Sequence, residues 1–288
     1  TDALPFPDEV THLKHIENML DQALKKANAA LEQTQQNYRA EKQYIAQYRH
    51  EIDPHELFQN ERTLNQLEHF EVLSQNTQDK LVKLKDSPYF ARLDFKAVAE
   101  STDTVYYIGR FAFLNAGELL ICDWRSPIAG LFYDYEIGPA EYEAPQGKIS
   151  GELTRKRQFK IKQGQLIYAL ESSLNIQDDV LQQELSQTSD QKMKSIIATI
   201  QKEQNHIIRN EKNDTLLIQG VAGSGKTSIA LHRIAFLLYQ YKETLSAKQI
   251  LIISPNRVFG DYIADVLPEL GEEPLFAVSF FEIAAVLL

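Results

Sequence analysis

Gly220-Val221-Ala222-Gly223-Ser224-Gly225-Lys226-Thr227 lies between the short apolar run Thr215 to Gln219 and the apolar-faced run Lys226 to Tyr239. It matches G-x-x-x-x-G-K-[ST], a pattern that carries meaning only where a strand leads in and a helix leads out. The flanking runs predict that context, and Gln249 to Ile253 reads as a second strand, so the alternation implies an α/β unit with a parallel sheet. The glycines allow a tight turn that aims successive N–H groups inward, where the positive end of the new helix also points. Such a loop cradles a triphosphate. Lys226 would reach the β and γ phosphates of ATP, and the Thr227 hydroxyl would complete the coordination of Mg²⁺. The residues placed against the nucleotide are Gly220, Val221, Ala222, Gly223, Ser224, Gly225, Lys226, Thr227 and Ser228, with Lys226 and Thr227 as the catalytic pair.

Two neighbours extend this reading. Gln204 sits on the preceding helix after Glu203, and its amide can both donate to and accept from an adenine edge. Read alone, a helical Gln is a surface residue. Downstream, Ser254-Pro255-Asn256 follows the second strand at its C-terminal end, where ligands of open α/β sheets gather, although a turn with a helix N-cap explains it equally.

Further upstream the periodicity changes twice. From Glu9 to Ile45, Leu13, Ile16, Leu20, Leu24, Ala27, Leu31, Thr34, Tyr38 and Ile45 recur at spacings of three and four, mostly, with no Gly or Pro between them. This predicts a long helix with a coiled-coil seam. Pro54 interrupts it, and Leu57, Leu64, Leu67, Phe70, Leu73, Leu81 and Leu84 form a second periodic run, giving an antiparallel helical hairpin. Its tip carries Glu51, Asp53, Glu56 and Glu61, either as a solvated end or as a group that approaches a metal or a basic channel. From Pro88 to about Ile176 the period is two, with β-rich runs at Thr104 to Ile108, Leu119 to Cys122, Leu131 to Tyr135, Glu152 to Lys162 and Gln165 to Leu170, and a turn at Gln163-Gly164. Asp123-Trp124-Arg125-Ser126-Pro127 contains the only Trp and reads as a buried corner. Helical spacing returns from about Asp190 through Met193, Ile196, Ile197, Ile200, His206 and Ile207.

Composition bounds the function. Within 288 residues, 43% hydrophobic content supports real cores. Thirty basic against forty acidic side chains leave a net charge of -10, so attraction to phosphate must be local rather than global. The single cysteine, Cys122, excludes an internal disulfide or thiolate metal cluster and fits the cytoplasm. No run is long and apolar enough to predict a membrane span, and Thr1 to Glu9 lacks the order of a signal peptide. The absence of an initial Met and the apolar run Ala284 to Leu288 suggest a piece of a longer chain.

The order Gln204, Gly220 to Thr227, Ser254-Pro255-Asn256 and Ser279-Phe280 resembles the Q motif and motifs I, Ia and Ib of UvrD/Rep-type superfamily 1 helicases. Together with Thr199 to Asn205, the Asp123 to Pro127 corner, Ser87-Pro88-Tyr89-Phe90 and the leading hairpin, the chain closely resembles the HelD family, DNA helicase IV-like motor ATPases of Gram-positive bacteria. The resemblance implies residues 1–86 as a coiled-coil arm, 87–189 as a β-rich module, and 190–288 as the start of motor subdomain 1A. It implies an ATPase whose arm enters the secondary channel of core RNA polymerase and whose ATP turnover helps release the enzyme from nucleic acid. Glu51, Asp53 and Glu56 would then either repel nucleic acid or approach the polymerase's catalytic Mg²⁺, and Ser254, Pro255, Asn256, Ser279 and Phe280 would contact nucleic acid. No Walker B Asp-Glu pair, motor arginine or second motor domain follows within the sequence, so the chain alone is expected to hydrolyse ATP hardly at all. Two other readings stand beside this one. The first is a DNA helicase or translocase acting on single strands, and the second is a coiled-coil interaction protein with a regulatory or vestigial nucleotide switch.

Overall fold

The computed structural model describes residues 6–48, 51–171, 197–212, 215–221, 223–255, 260, 263 and 266–287. The chain divides into two compact units. The first holds Thr1–Pro88, Asn115–Glu118 and Lys160–Tyr168, and the second holds Tyr89–Leu114, Leu119–Phe159 and Ala169–Leu288.

In the first unit, α1 (Pro7–Tyr48, 42 residues) and α2 (Pro54–Asp86) form the hairpin that the spacing predicts. At 1.5 Å per residue α1 is about 60 Å long. Pro54 opens α2, where its missing N–H leaves no bond unmade, and the Asp53 carboxylate accepts from the backbone N–H of His55 (2.8 Å) and Glu56 (3.1 Å). The helices run antiparallel, because partners that ascend α1 descend α2: Asp21 with Lys85, Asn28 with Gln78, Gln35 with Glu71 and Tyr44 with Glu56.

Burial is concentrated at the base, in Leu13, Ile16, Leu20, Leu81 and Leu84. Farther out the contact between the helices becomes largely polar. Phe70 and Leu73, predicted on the seam, are exposed at 58% and 47%. A heptad counted from Leu67 puts Glu71, Ser74 and Gln78 at the contact instead, and Glu71 and Gln78 make the bonds to α1. At the base, Asp86 accepts from the N–H groups of Gln163 and Gly164, each at 3.0 Å, and so caps the turn predicted there, in which both residues take positive φ.

A mixed sheet lies mostly in the second unit, with its Asn115–Glu118 and Lys160–Tyr168 segments counted in the first. Its strands are β1 (Ala91–Ala97), β2 (Thr104–Gly109), β3 (Phe113–Asn115), β4 (Glu118–Asp123), β5 (Gly138–Ala144), β6 (Gly147–Lys162) and β7 (Gln165–Glu171), in the order β3-β4-β2-β1-β6-β5 with β7 also on β6. β1 is antiparallel to β2 and β6, β5 is antiparallel to β6, and β2 runs parallel to β4. Leu131 to Tyr135, predicted as strand, is instead the short helix α3 (Gly130–Asp134). Successive i to i+3 bonds from Ser126 onward already wind the chain there, and Gly130 to Tyr133 are all buried, so no alternating face exists to select a strand.

Beyond a short 3₁₀ turn at Ile197–Thr199 come α4 (Lys202–Ile208), α5 (Lys226–Gln240), β8 (Leu251–Ser254), α6 (Val266–Glu269), β9 (Phe276–Ser279) and α7 (Phe280–Leu287). β8 and β9 pair in parallel. The parallel sheet expected around the glycine loop is otherwise not formed among the described residues. Leu216 and Ile218 are half-buried while Thr215, Leu217 and Gln219 face outward, yet this run joins no ladder, and a strand exists only where a neighbour supplies its hydrogen bonds. The predicted helical positions Met193 and Ile196 lie outside the described residues. One core links sheet and helices, with Phe95, Trp124, Phe132, Ile208, Phe236 and Leu267 among its members. No described helix is long and apolar enough to cross a membrane.

The uneven burial along the hairpin gives a direct test. Leu20→Ala is expected to lower unfolding free energy by about 2 to 4 kcal/mol, and Phe70→Ala by no more than about 0.5 kcal/mol, in urea titrations followed by circular dichroism. Equal losses would contradict the polar outer seam.

Candidate nucleotide-binding site

The loop enters α5 through glycine geometry. Gly223 and Gly225 both take φ of +80°, a region that favours glycine, and a Cβ at either would meet no atom within 4 Å. Gly225 is the N-cap of α5 and offers no side chain to the first-turn N–H groups. Those donors therefore stay available to an anion. Lys226 folds back across the loop and donates to the carbonyls of Gly220 (2.9 Å) and Val221 (2.7 Å), with Ser224 Oγ at 3.5 Å. The ammonium thus sits over the concave side of the loop. Thr227 is half-buried beside it, Ser228 is buried with no hydrogen-bond partner for its hydroxyl, and Ala222 lies outside the described residues.

The other predicted residues have mostly local duties. Gln204 is the third residue of α4, and its Oε1 accepts from the backbone N–H of Gln201 at 3.1 Å in a reciprocal cap. Ser254 is buried at the end of β8, directly beside Ser279 at the end of β9. Ser279 caps α7 through Glu282, whose carboxylate accepts from the Ser279 N–H (2.7 Å) and hydroxyl (2.9 Å). Pro255 and Phe280 are exposed, and Asn256 lies outside the described residues. At the arm tip, Asp53 caps α2 and Glu56 accepts from the Tyr44 hydroxyl at 3.0 Å, while Glu51 is exposed. Among the described residues no group of three or more His, Cys, Asp or Glu side chains could hold a metal ion.

Behind the loop, the Asp123 to Pro127 corner packs on one face of α5. Arg125 forms a two-pronged ion pair with Asp123 at 2.8 Å, bonds Glu272, and lies over the Tyr239 ring at 4.7 Å. Trp124, fully buried, meets the His232 ring edge-on at 5.7 Å. Arg209, which ends α4, donates to three successive carbonyls of the corner, Trp124 (2.6 Å), Arg125 (3.2 Å) and Ser126 (3.2 Å), and lies near the rings of Tyr133 and Phe236. Burial lowers its pKa below the ordinary guanidinium value. Asn205 relays it to Asp134, accepting from Arg209 at 3.0 Å and donating to the carboxylate at 2.8 Å. The Asp123–Arg125 pair was legible as a corner around the only Trp. Arg209 and Glu272 were not, because their partners in the corner lie far away in sequence, and the i, i+4 spacing of Asn205 and Arg209 says nothing of the corner they hold.

His232 is fully buried, and its Nδ1 lies 2.7 Å from the Ser228 carbonyl, which can only accept, so Nδ1 carries the proton. Burial pushes its pKa down to about 4 from 6.5. The folded ring stays neutral while the unfolded ring gains a proton, so stability present above pH 6.5 is lost as pH falls from there toward 4. Between pH 7.5 and 5 this amounts to about 2 kcal/mol. Thermal unfolding at the two pH values should show that His232→Asn, which keeps the donor and does not titrate, removes an increment of this size from the acid sensitivity. An unchanged pH dependence would contradict the buried neutral ring.

The family described as DNA helicase IV HelD, N-terminal domain, matches residues 6–190. The match covers both hairpin helices and the seven-stranded sheet and stops before the glycine loop. No curated protein matches the chain.

Proposed function

Because the chain belongs to the HelD family through that N-terminal domain, we propose that it is part of an ATP-dependent motor that binds RNA polymerase through its helical hairpin and promotes polymerase release and recycling. The observation that carries the reading is the loop at Gly220 to Thr227. It combines two glycines at positive φ, a helix start without a side-chain cap and an ammonium over the concave side. In this reading residues 1–86 are the arm, 87–189 the β-rich module and 190–288 the start of motor subdomain 1A, acting in the cytoplasm.

The loop donors and Lys226 hold the phosphates of ATP. The Thr227 hydroxyl would ligate Mg²⁺, which when bound neutralises phosphate charge. Gln204 has its Oε1 committed to the α4 cap, which leaves its Nε2 to donate to an adenine acceptor. The hairpin suits insertion into another protein because it is about 60 Å long and offers exposed apolar side chains, Phe58, Phe70 and Leu73 among them, for contact with a partner. Its tip presents Glu51, with Asp53 and Glu56 holding the turn in shape.

A second reading, a helicase or translocase on single-stranded DNA, is favoured by one arrangement. Ser254 and Ser279 stand side by side at the C-terminal ends of β8 and β9, with exposed Phe280 next in the chain as a stacking surface. Unwinding of a tailed duplex that Lys226→Ala abolishes would favour it.

The test of the first reading uses stalled transcription complexes and the full-length protein. ATP-dependent release is expected for the wild type. Lys226→Ala should bind polymerase and fail to release it, and a variant lacking residues 7–86 should fail to bind. Equal recovery of polymerase with and without the arm would overturn the arm assignment.

A further inference from the structure

One face of α5 meets the Asp123 to Pro127 corner and its clamp at three successive points. His232 meets Trp124, Phe236 lies 5.1 Å from the Arg209 guanidinium, and Tyr239 lies under Arg125. Residues 232, 236 and 239 fall on one stripe of a helix, spanning about 10 Å along its axis. Near the loop end of that stripe, His232 is bonded to the carbonyl of Ser228, one residue after Thr227. Arg233 also donates to the Ile207 carbonyl at 2.8 Å, joining α5 to the helix that ends in Arg209. α5 therefore carries the phosphate loop at one end and the corner along its side.

The corner also borders open space. A cavity of about 550 Å³ is bordered by Arg125, Leu131, Lys202, His206, Arg209 and Phe236. A close-packed element transmits displacement to its neighbours, and the cavity gives the corner room to yield. Arg209 is the joint, since its fork spans three carbonyls of the corner while its face meets a ring of α5. A lysine would place a compact charge there without the fork or the stacking plane.

We propose that Arg209 is a positioning residue that transmits nucleotide binding at the loop to the Trp124 corner. The proposal rests on the reading of Gly220 to Thr227 as an ATP site. Its mechanism is a small shift of α5 as the first-turn N–H groups take up phosphate. The Phe236 ring then moves the guanidinium, and the guanidinium moves the carbonyls of Trp124, Arg125 and Ser126. Linkage requires the reverse effect, so loosening the corner alters nucleotide affinity by the same coupling.

Trp124 is the only tryptophan in the chain and is itself the probe. The 288-residue chain is titrated with Mg²⁺·ATP while heat and tryptophan emission are followed in parallel. The wild type should show an emission change with the same midpoint as the heat. Arg209→Lys should retain ATP binding with the emission change reduced to less than about a fifth. Phe236→Leu, which removes the ring beneath the guanidinium, should do the same and covers the case in which the lysine variant does not fold. Binding heat with no emission change in the wild type, or with a full change in both variants, would overturn the relay and leave the ATP site standing. No binding heat in the wild type would overturn the nucleotide reading, and the relay with it.

Discussion

Two buried guanidinium groups govern the second unit. A charged side chain taken out of water is tolerated only when its donors are satisfied, and Arg125 and Arg209 meet that demand in different ways. Arg125 uses the carboxylates of Asp123 and Glu272. Arg209 uses three backbone carbonyls, the Asn205 amide and the rings of Tyr133 and Phe236. Each hydrogen bond to a charged group stabilises by about 1.5 to 3 kcal/mol, and removing the Arg209 cation would take that bond from the buried carbonyls of Trp124 and Arg125. Satisfying the charges brings β4, α3, α4 and α5 together, and with them the mixed sheet and the glycine loop.

The two units differ in how they are held together. The second has a continuous apolar core whose members run from Ala91 to Leu275. In the first, apolar burial is dense at the base of the hairpin and gives way to pairs such as Asn28–Gln78 and Gln35–Glu71 farther out. Polar seams stabilise less than apolar ones but restrict register, since a slip would separate each pair.

Local chemistry made part of this legible in the sequence. The loop pattern, Pro54 with Asp53 ahead of it, and Gln163-Gly164 are short-range signals whose physics is complete within a few residues, and the structure places a helix start, a cap and a turn there. Alternation also located β2, β4, β6 and β7 to within a few residues. Long-range pairing was hidden. Leu131 to Tyr135 has strand-like composition but is wound by the turn before it, and Thr215 to Gln219 has the alternation of a strand without a neighbour to bond. Gln204 and Ser279 carried motif positions, but nothing in a motif indicates that both would also cap helices. Arg209 had no sequence signal, because its importance lies in carbonyls more than eighty residues away.

The proposed function depends most on the loop that these contacts hold in place. Its decisive measurement is a calorimetric titration of the intact protein with ATP in the presence and absence of Mg²⁺, alongside ADP. Saturable binding of one ATP, weakened when Mg²⁺ is withheld and weaker for ADP, is the predicted result. Heat that never saturates, or binding indifferent to both the cation and the third phosphate, would contradict a site built from Gly220 to Thr227.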